Sequence, residues 1–488
     1  MKIVVDHVWA WIEGAHPSHI ILPVLSYLDE GRFFNPAFKA GYSDGRIKYI
    51  QYDRSRKQYK FPAGLLSRVT KALDEANFQY ELSDDRIYEM PEPKLVLFDN
   101  HGKHTIDLRK GKWSFQSDIV TSALSHGRGI IHMPTGGGKT EVGASLIASI
   151  WKPTVWLTHR TNLMYQTHDR LAKRLQVPIG MVGDGNWDIQ FITVVMIQTA
   201  VTSLKEGRED LDNFLRACEV IVGDEAHHAE ADSWLDSFGK IQAPWRFGLT
   251  ATPHLTGPGL ALIGMTGDVI ASISLLELIE RRVLVVPRIW FYPINAPKLN
   301  SKVDSRSAYK QAIVENLERN EAICSIADVF RMENKPCITL VKRVAHGEML
   351  CDMMNMKGIR SEYIRGSTSK AERELIFQML QEGRFANVVA TAEIVGEGTD
   401  LPWLRALINA TGARGGGDKT EGESGRGTLQ FLGRILRHSE GKYYADYVDI
   451  ADRTHKSLKD ASLARVKTLQ SEGYTPFIKY WSHYKVHG

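Results

Sequence analysis

The chain has 488 residues, 43% of them apolar and 24% charged, which indicates a globular protein with two or more domains of ordinary size. The formal net charge of +4 does not by itself indicate nucleic-acid binding, because basicity matters where it is clustered. The four cysteines have no CxxC spacing, which favours reduced thiols and a cytoplasmic protein. No apolar run approaches the roughly 18 residues of a membrane helix, and Asp6 and Glu13 interrupt the apolar start. We therefore predict no membrane span and no signal peptide.

The first cluster of basic residues lies between Gly31 and Lys60. This stretch has eight Lys or Arg, two Asp and seven Phe or Tyr, a net charge of +6 that exceeds the charge of the whole chain. Basic residues interleaved with aromatic rings are typical of a nucleic-acid surface, where rings stack on unpaired bases. The alternative is that Phe33, Phe34 and Phe38 belong to a core and that the charges are only solvated. The predicted DNA contacts of this stretch are Arg46, Lys48, Arg54, Arg56 and Lys57.

A glycine-rich loop follows the next strong apolar run. Gly129–Met133 is predicted to be a strand, three glycines follow, and helical apolar spacing begins at Thr140. Such a loop can turn its backbone amides around a phosphate, Lys139 supplies a charge to the outer phosphates, and the Thr140 hydroxyl can bind magnesium. Met133 stands where the strict phosphate-loop pattern has Gly, and a glycine turn without nucleotide is the alternative. The predicted phosphate-binding residues are Pro134, Thr135, Gly136, Gly137, Gly138, Lys139 and Thr140.

The stretch IVGDEAHHAE places two acids and two histidines after another apolar run. A zinc site on a helix needs HExxH spacing, which is absent, and the adjacent His227 and His228 point in different directions. At the end of a parallel strand, Asp224 would hold the magnesium ion and Glu225 would deprotonate the attacking water. His227 would then couple the nucleotide to the next motif. A solvated acidic turn is the alternative reading of these ten residues.

Three later stretches continue this pattern. GLTATPH contains Thr250 and Thr252, which can couple the acidic segment to a polymer track, and VVATAEIVGEGTDLP is a strand that ends in a polar loop. In QFLGRILRH, Arg434 and Arg437 have i, i+3 spacing and are predicted on one face of a helix. Such a pair suits a guanidinium clamp on a transferring phosphate. An exposed basic helix face is the alternative.

Taken in order, these stretches resemble a superfamily 2 helicase over residues 105–455. The resemblance adds LTHRTNLMYQ from Leu157, VVMIQT from Val194 and a segment around Thr339–Val344. It implies two RecA-like domains that bind ATP and Mg²⁺ in the cleft between them and a nucleic-acid strand across their tops. By the same resemblance, Gln116 lies near the adenine, and Gly398 and Asp400 respond to the nucleotide state. Gln430 would help to couple the nucleotide site to the nucleic acid. The residues along the phosphodiester backbone would be Thr158, His159, Arg160, Gln198, Thr199 and Thr391.

The alternation of strands and helices predicts an α/β fold: two parallel-sheet domains in tandem behind a small N-terminal α+β DNA-binding domain. Val283–Ile294, with Pro287 and Pro293, is predicted to cross between the two sheets. The glycine-rich stretch 412–427 is predicted to be a loop in which Arg414, Lys419 or Arg426 could contact DNA. The predicted strands are 155–157, 192–196 and 220–222 in the first sheet and 338–341, 388–391 and 406–410 in the second. The predicted domains are 1–92, 93–285 and 286–455, followed by a helical tail, 456–488.

FFNPAFKAGYSDGRIKYIQYD followed by FPAGLL resembles the N-terminal domain of the phage UvsW-type helicases. That resemblance implies an ATP-dependent DNA helicase that remodels forks and four-way junctions. Two alternatives stay open: another superfamily 2 enzyme, such as an RNA helicase or a translocating restriction subunit, and an ATPase that clamps nucleic acid without moving.

Overall fold

The computed structural model describes residues 1–99, 101–159, 161–224, 239–251, 256–300, 302–392, 394, 401–412 and 426–481. The chain forms two compact units. The first contains residues 1–134 and 138–273, and the second contains residues 135–137 and 274–488. No helix in these described ranges is long and apolar enough to cross a membrane. All four cysteines are buried and free.

The N-terminal part of the first unit is an α+β fold. Its main sheet has the order β5-β6-β2-β1-β7, antiparallel except where β1 pairs with β7, and β3 and β4 form a separate hairpin. Its α-helices are Ser18–Val24, Pro36–Lys39 and Leu66–Glu75. Its strands are β1 (Lys2–Val5), β2 (Trp9–Glu13), β3 (Ser26–Leu28), β4 (Arg46–Lys48), β5 (Gln51–Asp53), β6 (Gln58–Pro62) and β7 (Glu81–Asp84).

The remainder of the first unit is built on a nearly parallel sheet. Its order is β13-β12-β14-β11-β15-β16-β10-β17, and only β12 and β13 run antiparallel. The central strands are apolar and buried, as expected for a sheet covered on both faces. All three strands predicted for it are confirmed. The strands of this sheet are β10 (Arg128–His132), β11 (Thr154–Thr158), β12 (Gly180–Gly183), β13 (Asn186–Asp188), β14 (Ile192–Met196), β15 (Val220–Asp224), β16 (Trp245–Thr250) and β17 (Val269–Ser272). Before it, β8 (Val96–Phe98) and β9 (Thr105–Asp107) form a separate antiparallel pair. The α-helices are Phe115–His126, Lys139–Ile150, Thr161–Leu175, Ile197–Glu206, Glu209–Ala217 and Leu260–Thr266.

The two parts of the first unit share one apolar core, so the predicted boundary after residue 92 separates two sheets but not two compact bodies. Gly64 shows how close they are, because a Cβ atom built on it would lie 2.0 Å from the Ile263 carbonyl oxygen. Arg128, at the start of β10, is buried and donates hydrogen bonds to the carbonyls of His7, Met265 and Thr266. Desolvation lowers the pKa of Arg128 to about 10.

The second unit has a parallel sheet of the order β20-β21-β19-β22-β23-β18-β24. The three strands predicted for it are confirmed, with ends shifted by one residue. Its strands are β18 (Val286–Ile294), β19 (Cys337–Val341), β20 (Ser361–Ile364), β21 (Asn387–Thr391), β22 (Ala406–Asn409), β23 (Tyr444–Asp452) and β24 (Ile478–Tyr480). Its α-helices are Leu275–Glu280, Ser305–Tyr309, Leu317–Met332, Val344–Met356, Lys370–Gln381, Arg426–Ile435 and Lys456–Ser471.

The predicted crossing at 283–294 is wrong, because β18 is a nine-residue strand between β23 and β24. The two prolines fit it for a geometric reason. The Val286 amide donates toward the β23 side, so alternation directs the nitrogens of Pro287 and Pro293 to the opposite side. There β24 pairs only with Ile289–Phe291, so neither proline removes a ladder hydrogen bond.

The second compact unit begins at Ser274, where a capping box of Ser274 and Glu277 starts its first helix. The domain boundary after residue 285 stays a prediction. The C-terminal segment is not only a helical tail. After the helix Lys456–Ser471 the chain returns to the sheet, and β24 pairs in parallel with β18.

Candidate active site

The glycine-rich loop joins β10 to the helix that begins at Lys139, as predicted. Gly136 and Gly138 have φ values of +91° and +86°, a left-handed conformation that residues with a Cβ rarely adopt. At the head of the loop, the Met133 amide donates to the Thr250 carbonyl at 2.9 Å. The Lys139 ammonium donates to the Met133 carbonyl at 3.4 Å. The loop therefore has the backbone conformation and the cation that a phosphate site requires.

Gln116 lies against this loop. It is buried in the helix Phe115–His126, and a Cβ atom built on Gly138 would lie 2.2 Å from the Gln116 side-chain nitrogen. The structure thus brings together two residues that are 22 positions apart in the sequence. The contact of Gln116 with adenine stays a prediction.

This close approach predicts the effect of Gly138→Ala. We expect the variant to lose ATP affinity by more than about 10-fold, because the new methyl group displaces Gln116 and the left-handed backbone is strained by about 1 kcal/mol. Gly185→Ala is the matched control, since Gly185 has φ +81° and no atom within 4 Å of an added Cβ. Titration with a fluorescent ATP analogue and thermal unfolding would be compared. Equal ATP affinities in the two variants would contradict the expected steric cause.

The carboxyl ends of three neighbouring strands form the rest of the first site. In the order β15-β16-β10, Asp224 ends β15, Thr250 ends β16 and the phosphate loop follows β10. Two strand spacings, about 10 Å, separate the backbones of β15 and β10. Asp224 is buried, with 8% of its surface exposed. This edge brings Asp224 and Thr250 beside the phosphate loop, whereas Glu225, His227, His228 and Thr252 fall outside the described residues.

The donor chemistry at this edge fits magnesium. The Asp224 carboxylate and the Thr140 hydroxyl are hard oxygen donors, and magnesium in phosphate sites is usually held by one or two protein oxygens, water and the phosphates. The magnesium assignment of these two residues stays a prediction.

An ion-pair network next to the loop was missed by sequence reasoning. Glu141, one residue after Thr140, accepts hydrogen bonds from Arg170 at 2.8 Å and Arg174 at 3.1 Å. Both arginines belong to the helix that follows β11, and Arg174 also donates to the Phe98 carbonyl. The network therefore ties the phosphate-loop helix to the helix that follows Thr158 and His159. Glu141 is about 30 residues from its two arginine partners in the sequence, so no local pattern predicted these ion pairs.

Three of the predicted nucleic-acid residues, Thr158, Gln198 and Thr199, lie at the same edge of the parallel sheet. Thr158 pairs with Met196 across β11 and β14, so it lies beside Gln198 and Thr199, which are in the first turn of the helix Ile197–Glu206. Gln198 is exposed, whereas the Thr158 side chain is fully buried and its hydroxyl has no hydrogen-bond partner among the described residues. A contact at Thr158 would thus involve its backbone. His159 is half-buried, and Arg160 lies outside the described residues.

In the second unit, Thr391 ends β21 beside Val341 of β19, which places the predicted segments 339–344 and 388–391 side by side. The Thr391 side chain is 5% exposed. Several predicted residues of this unit lie outside the described part of the chain. They are Gly398, Asp400, residues 413–425 with Arg414 and Lys419, and the side chains of Arg426 and Gln430.

Arg434 and Arg437 do not share a helix face, which corrects the prediction. The helix ends at Ile435, and Arg437 forms an isolated antiparallel bridge with Leu284. The Lys442 ammonium holds this turn, since it donates to the carbonyls of Ile435 at 2.6 Å, Pro402 at 2.7 Å and Arg437 at 3.1 Å. Burial, and to a smaller extent the charge of Arg405, lowers the pKa of Lys442 to about 7. Both predicted arginines are half-buried.

The basic N-terminal residues are on the surface. Arg46, Lys48, Arg54, Arg56 and Lys57 are all exposed. Two of them have partners in the same domain: the Lys48 ammonium lies 2.8 Å from Asp44, and the Arg56 guanidinium lies 4.2 Å from the centre of the Trp11 ring. The alternative core placement is wrong for two of the three phenylalanines, because Phe33 is 59% and Phe34 is 85% exposed. Phe38 is half-buried.

Comparison with other proteins identifies two domains. Residues 105–255 match the type III restriction enzyme res subunit family, and residues 318–439 match the helicase conserved C-terminal domain family. The ATP-dependent DNA helicase uvsW of Enterobacteria phage T4 is 23% identical over 466 residues, which cover 91% of this chain and 88% of the phage protein. The DNA 3'-5' translocase XPB2 of Sulfurisphaera tokodaii is 24% identical over 433 residues, 82% of this chain and 92% of that protein.

The fold also has a solved counterpart. The ATP-dependent type ISP restriction-modification enzyme LlaBIII, solved bound to DNA, matches 85% of this chain and 34% of its own length, with a TM-score of 0.55 and 13% identity. The two parallel sheets are therefore tandem RecA-like domains. With both helicase domains in order and the phosphate loop in place, the chain belongs to the superfamily 2 helicases and is an ATP-dependent enzyme of that superfamily.

Proposed function

We propose that the protein is a DNA helicase or translocase that uses ATP to remodel branched DNA, by fork regression, branch migration or strand unwinding and annealing, in recombination, repair and replication. One observation carries the proposal. A single compact unit contains both the phosphate loop of the first parallel sheet and an N-terminal domain with an exposed basic and aromatic surface. The similarity to the phage uvsW protein, a DNA helicase, covers 91% of the chain and supports DNA as the substrate.

In the proposed reaction, the loop amides and Lys139 bind the ATP phosphates, and Thr140 with Asp224 would hold Mg²⁺, which neutralises phosphate charge when bound. Glu225 would take a proton from the attacking water. Arg434 and Arg437 would stabilise the charge that develops on the transferred phosphate. The coupling of ATP hydrolysis to the bound DNA strand would involve His227, Thr250, Thr252 and Gln430. Gly398 and Asp400 would respond to the nucleotide.

The N-terminal domain would supply phosphate contacts outside the motor. Arg54 and Lys57 lie in the turn between β5 and β6, are exposed, and have no ion pair among the described residues. Arg56 differs, because its stacking on Trp11 gives it a structural role as well. A test of charge alone should therefore change the first two and leave Arg56 in place.

We expect the double variant Arg54→Ala/Lys57→Ala to bind four-way junctions with a weaker salt dependence. Loss of two phosphate contacts reduces the slope of log K against log salt by about 1.8 if B-DNA counterion release applies. Lys71→Ala is the control, since Lys71 is 76% exposed on a helix of the same domain. Fluorescence anisotropy between 50 and 200 mM salt measures the slope. An unchanged slope in a folded double variant would remove this turn from the DNA surface.

One comparison tests the proposed function as a whole. ATP turnover would be measured with single-stranded DNA, duplex, fork, four-way junction and RNA, beside strand displacement on the same fork. We expect forks and junctions to stimulate turnover most and to be remodelled. Greatest stimulation by RNA would instead indicate an RNA helicase, and turnover on linear duplex without displacement would indicate a translocating restriction-type motor. Turnover without displacement or translocation would indicate a clamp.

We also propose the cytoplasm as the location of the protein. The free, buried thiols support a reducing compartment.

A further inference from the structure

A seventeen-residue insertion projects from the N-terminal domain between β3 and β4. The two strands pair as an antiparallel hairpin in which Leu28 is opposite Arg46. Residues 29–45 between them form a 3₁₀ turn, Glu30–Phe34, and the short helix Pro36–Lys39. We name residues 29–45 the insertion.

The insertion is held in shape by its own contacts. The Asp29 amide donates to the Gly45 carbonyl at 2.9 Å and closes the base. The side chains of Asp29 and Asn35 each accept a hydrogen bond at 2.9 Å from the backbone amide two residues later, and so cap the two helical turns. The Tyr42 amide donates to the Ala37 carbonyl at 2.8 Å. Little backbone ordering is therefore needed when a ligand binds.

Aromatic side chains divide into two sets within the insertion. Phe33 and Phe38 pack edge to face, with ring centres 5.6 Å apart, and the Arg32 guanidinium lies over Phe33 at 4.4 Å. Phe34 and Tyr42 are not part of this small cluster and are 85% and 90% exposed. Among the described residues, neither of these two rings has an aromatic or cationic partner. Two large exposed rings on an ordered support indicate a binding surface.

The charges beside the insertion favour a nucleic-acid ligand. Beside the hairpin, a groove of about 270 Å³ is lined by the basic residues Arg46 and Lys48 together with His19, Leu22 and Pro23. Asp44 also lines the groove, but it is paired with Lys48, and the Arg46 side chain has no acidic partner in the described chain. Residues 31–60 carry eight basic and two acidic side chains. A protein or a second copy of this chain would find less charge complementarity than a phosphate backbone.

We propose that Phe34 and Tyr42 stack on unpaired bases at the branch point of a DNA fork or junction, while Arg46 contacts the adjacent phosphate. This inference rests on the proposed function and names the part of the branched substrate that the N-terminal domain recognises. Ring stacking is tolerant of sequence, because every base has a π face. The insertion would therefore recognise the unpaired state rather than a sequence.

A fork with 2-aminopurine as the first unpaired base provides the test, because stacking quenches the fluorescence of this base analogue. We expect wild-type protein without nucleotide to quench the signal. Phe34→Ala and Tyr42→Ala should each remove much of the quenching and weaken fork affinity about 10-fold, the lower part of the range for losing one stacked base. Binding to blunt duplex should stay unchanged. Phe34→Trp and Tyr42→Phe retain the rings and should retain the quenching.

Tyr443→Ala is the matched control, since Tyr443 is 80% exposed but lies in the second unit. Fork affinity and quenching equal to wild type in both alanine variants would overturn the stacking proposal. Parallel losses on fork and blunt duplex would also overturn it, since they would mean a general duplex surface. A loss of self-association in place of fork binding, measured by sedimentation, would assign the rings to a second copy of the chain. ATP turnover and displacement by wild-type protein on the same fork test the proposed function separately, so that either idea can fail alone.

Discussion

Lys139→Ala is expected to reduce ATP turnover by at least about 10²-fold while the protein stays folded. The lysine is the first residue of the helix after the phosphate loop, and its ammonium reaches the Met133 carbonyl rather than the apolar core. The change therefore removes the cation that would contact the outer phosphates and creates no cavity.

Lys152→Ala is the matched control for that variant. Lys152 follows the other end of the same helix, is about half exposed and pairs with Glu219 at 3.4 Å, so its loss should affect turnover little. Turnover at saturating ATP and fork, together with circular dichroism melts, would be measured for both variants. Wild-type turnover by Lys139→Ala would contradict the assignment of the loop.

Arg437→Ala is expected to leave ATP affinity within a few-fold and to lower turnover about 10³-fold or more, the range for an arginine that stabilises a transferring phosphate. The reason is that such a guanidinium acts on charge that develops late in the reaction. The backbone at this position should persist, because Lys442 donates to the Arg437 carbonyl and Leu284 pairs with this residue.

The Arg437 side chain can be tested apart from the local fold. Arg384→Ala serves as a control in the same unit, since Arg384 is 64% exposed and pairs with Glu382. Single-turnover hydrolysis and ATP binding would be measured for both variants. A fall in affinity without a fall in the hydrolysis step would make Arg437 a structural or DNA-facing residue. Arg437→Lys should restore little activity, because a lysine lacks the planar fork of donors.

The sequence was most informative where local chemistry determines structure. The phosphate loop, the buried strands and the acidic strand end were predicted because glycine runs and apolar runs act within a few residues. Features that depend on distant partners were not predicted. The prolines of β18 made it look like a linker, since only the pairing with β23 and β24 shows that their nitrogens are not needed.

Side-chain environments also depended on tertiary contacts. The i, i+3 spacing of Arg434 and Arg437 indicated one helix face, but the helix ends between them and a lysine five residues later than Arg437 holds the turn. From the sequence, Phe33 and Phe34 were equally compatible with a core and with a surface. Two adjacent rings give no periodicity, and only the tertiary structure shows that Phe33 packs against Phe38. The close approach of Gln116 to Gly138 was likewise invisible to spacing.

The position of β18 has a consequence for how the protein is made. This strand pairs with β23 from Val286 opposite Tyr444, 158 residues later, and with β24 from Ile289 opposite Ile478. All residues of the first unit, by contrast, precede residue 274. During synthesis the first unit can fold while the second unit is still incomplete. Until the C-terminal strands emerge, the backbone of β18 has no strand partner and its apolar side chains stay exposed. Stalled or truncated chains that end after residue 294 and before residue 444 should therefore be the species that aggregate or require chaperones, even though their first unit is intact.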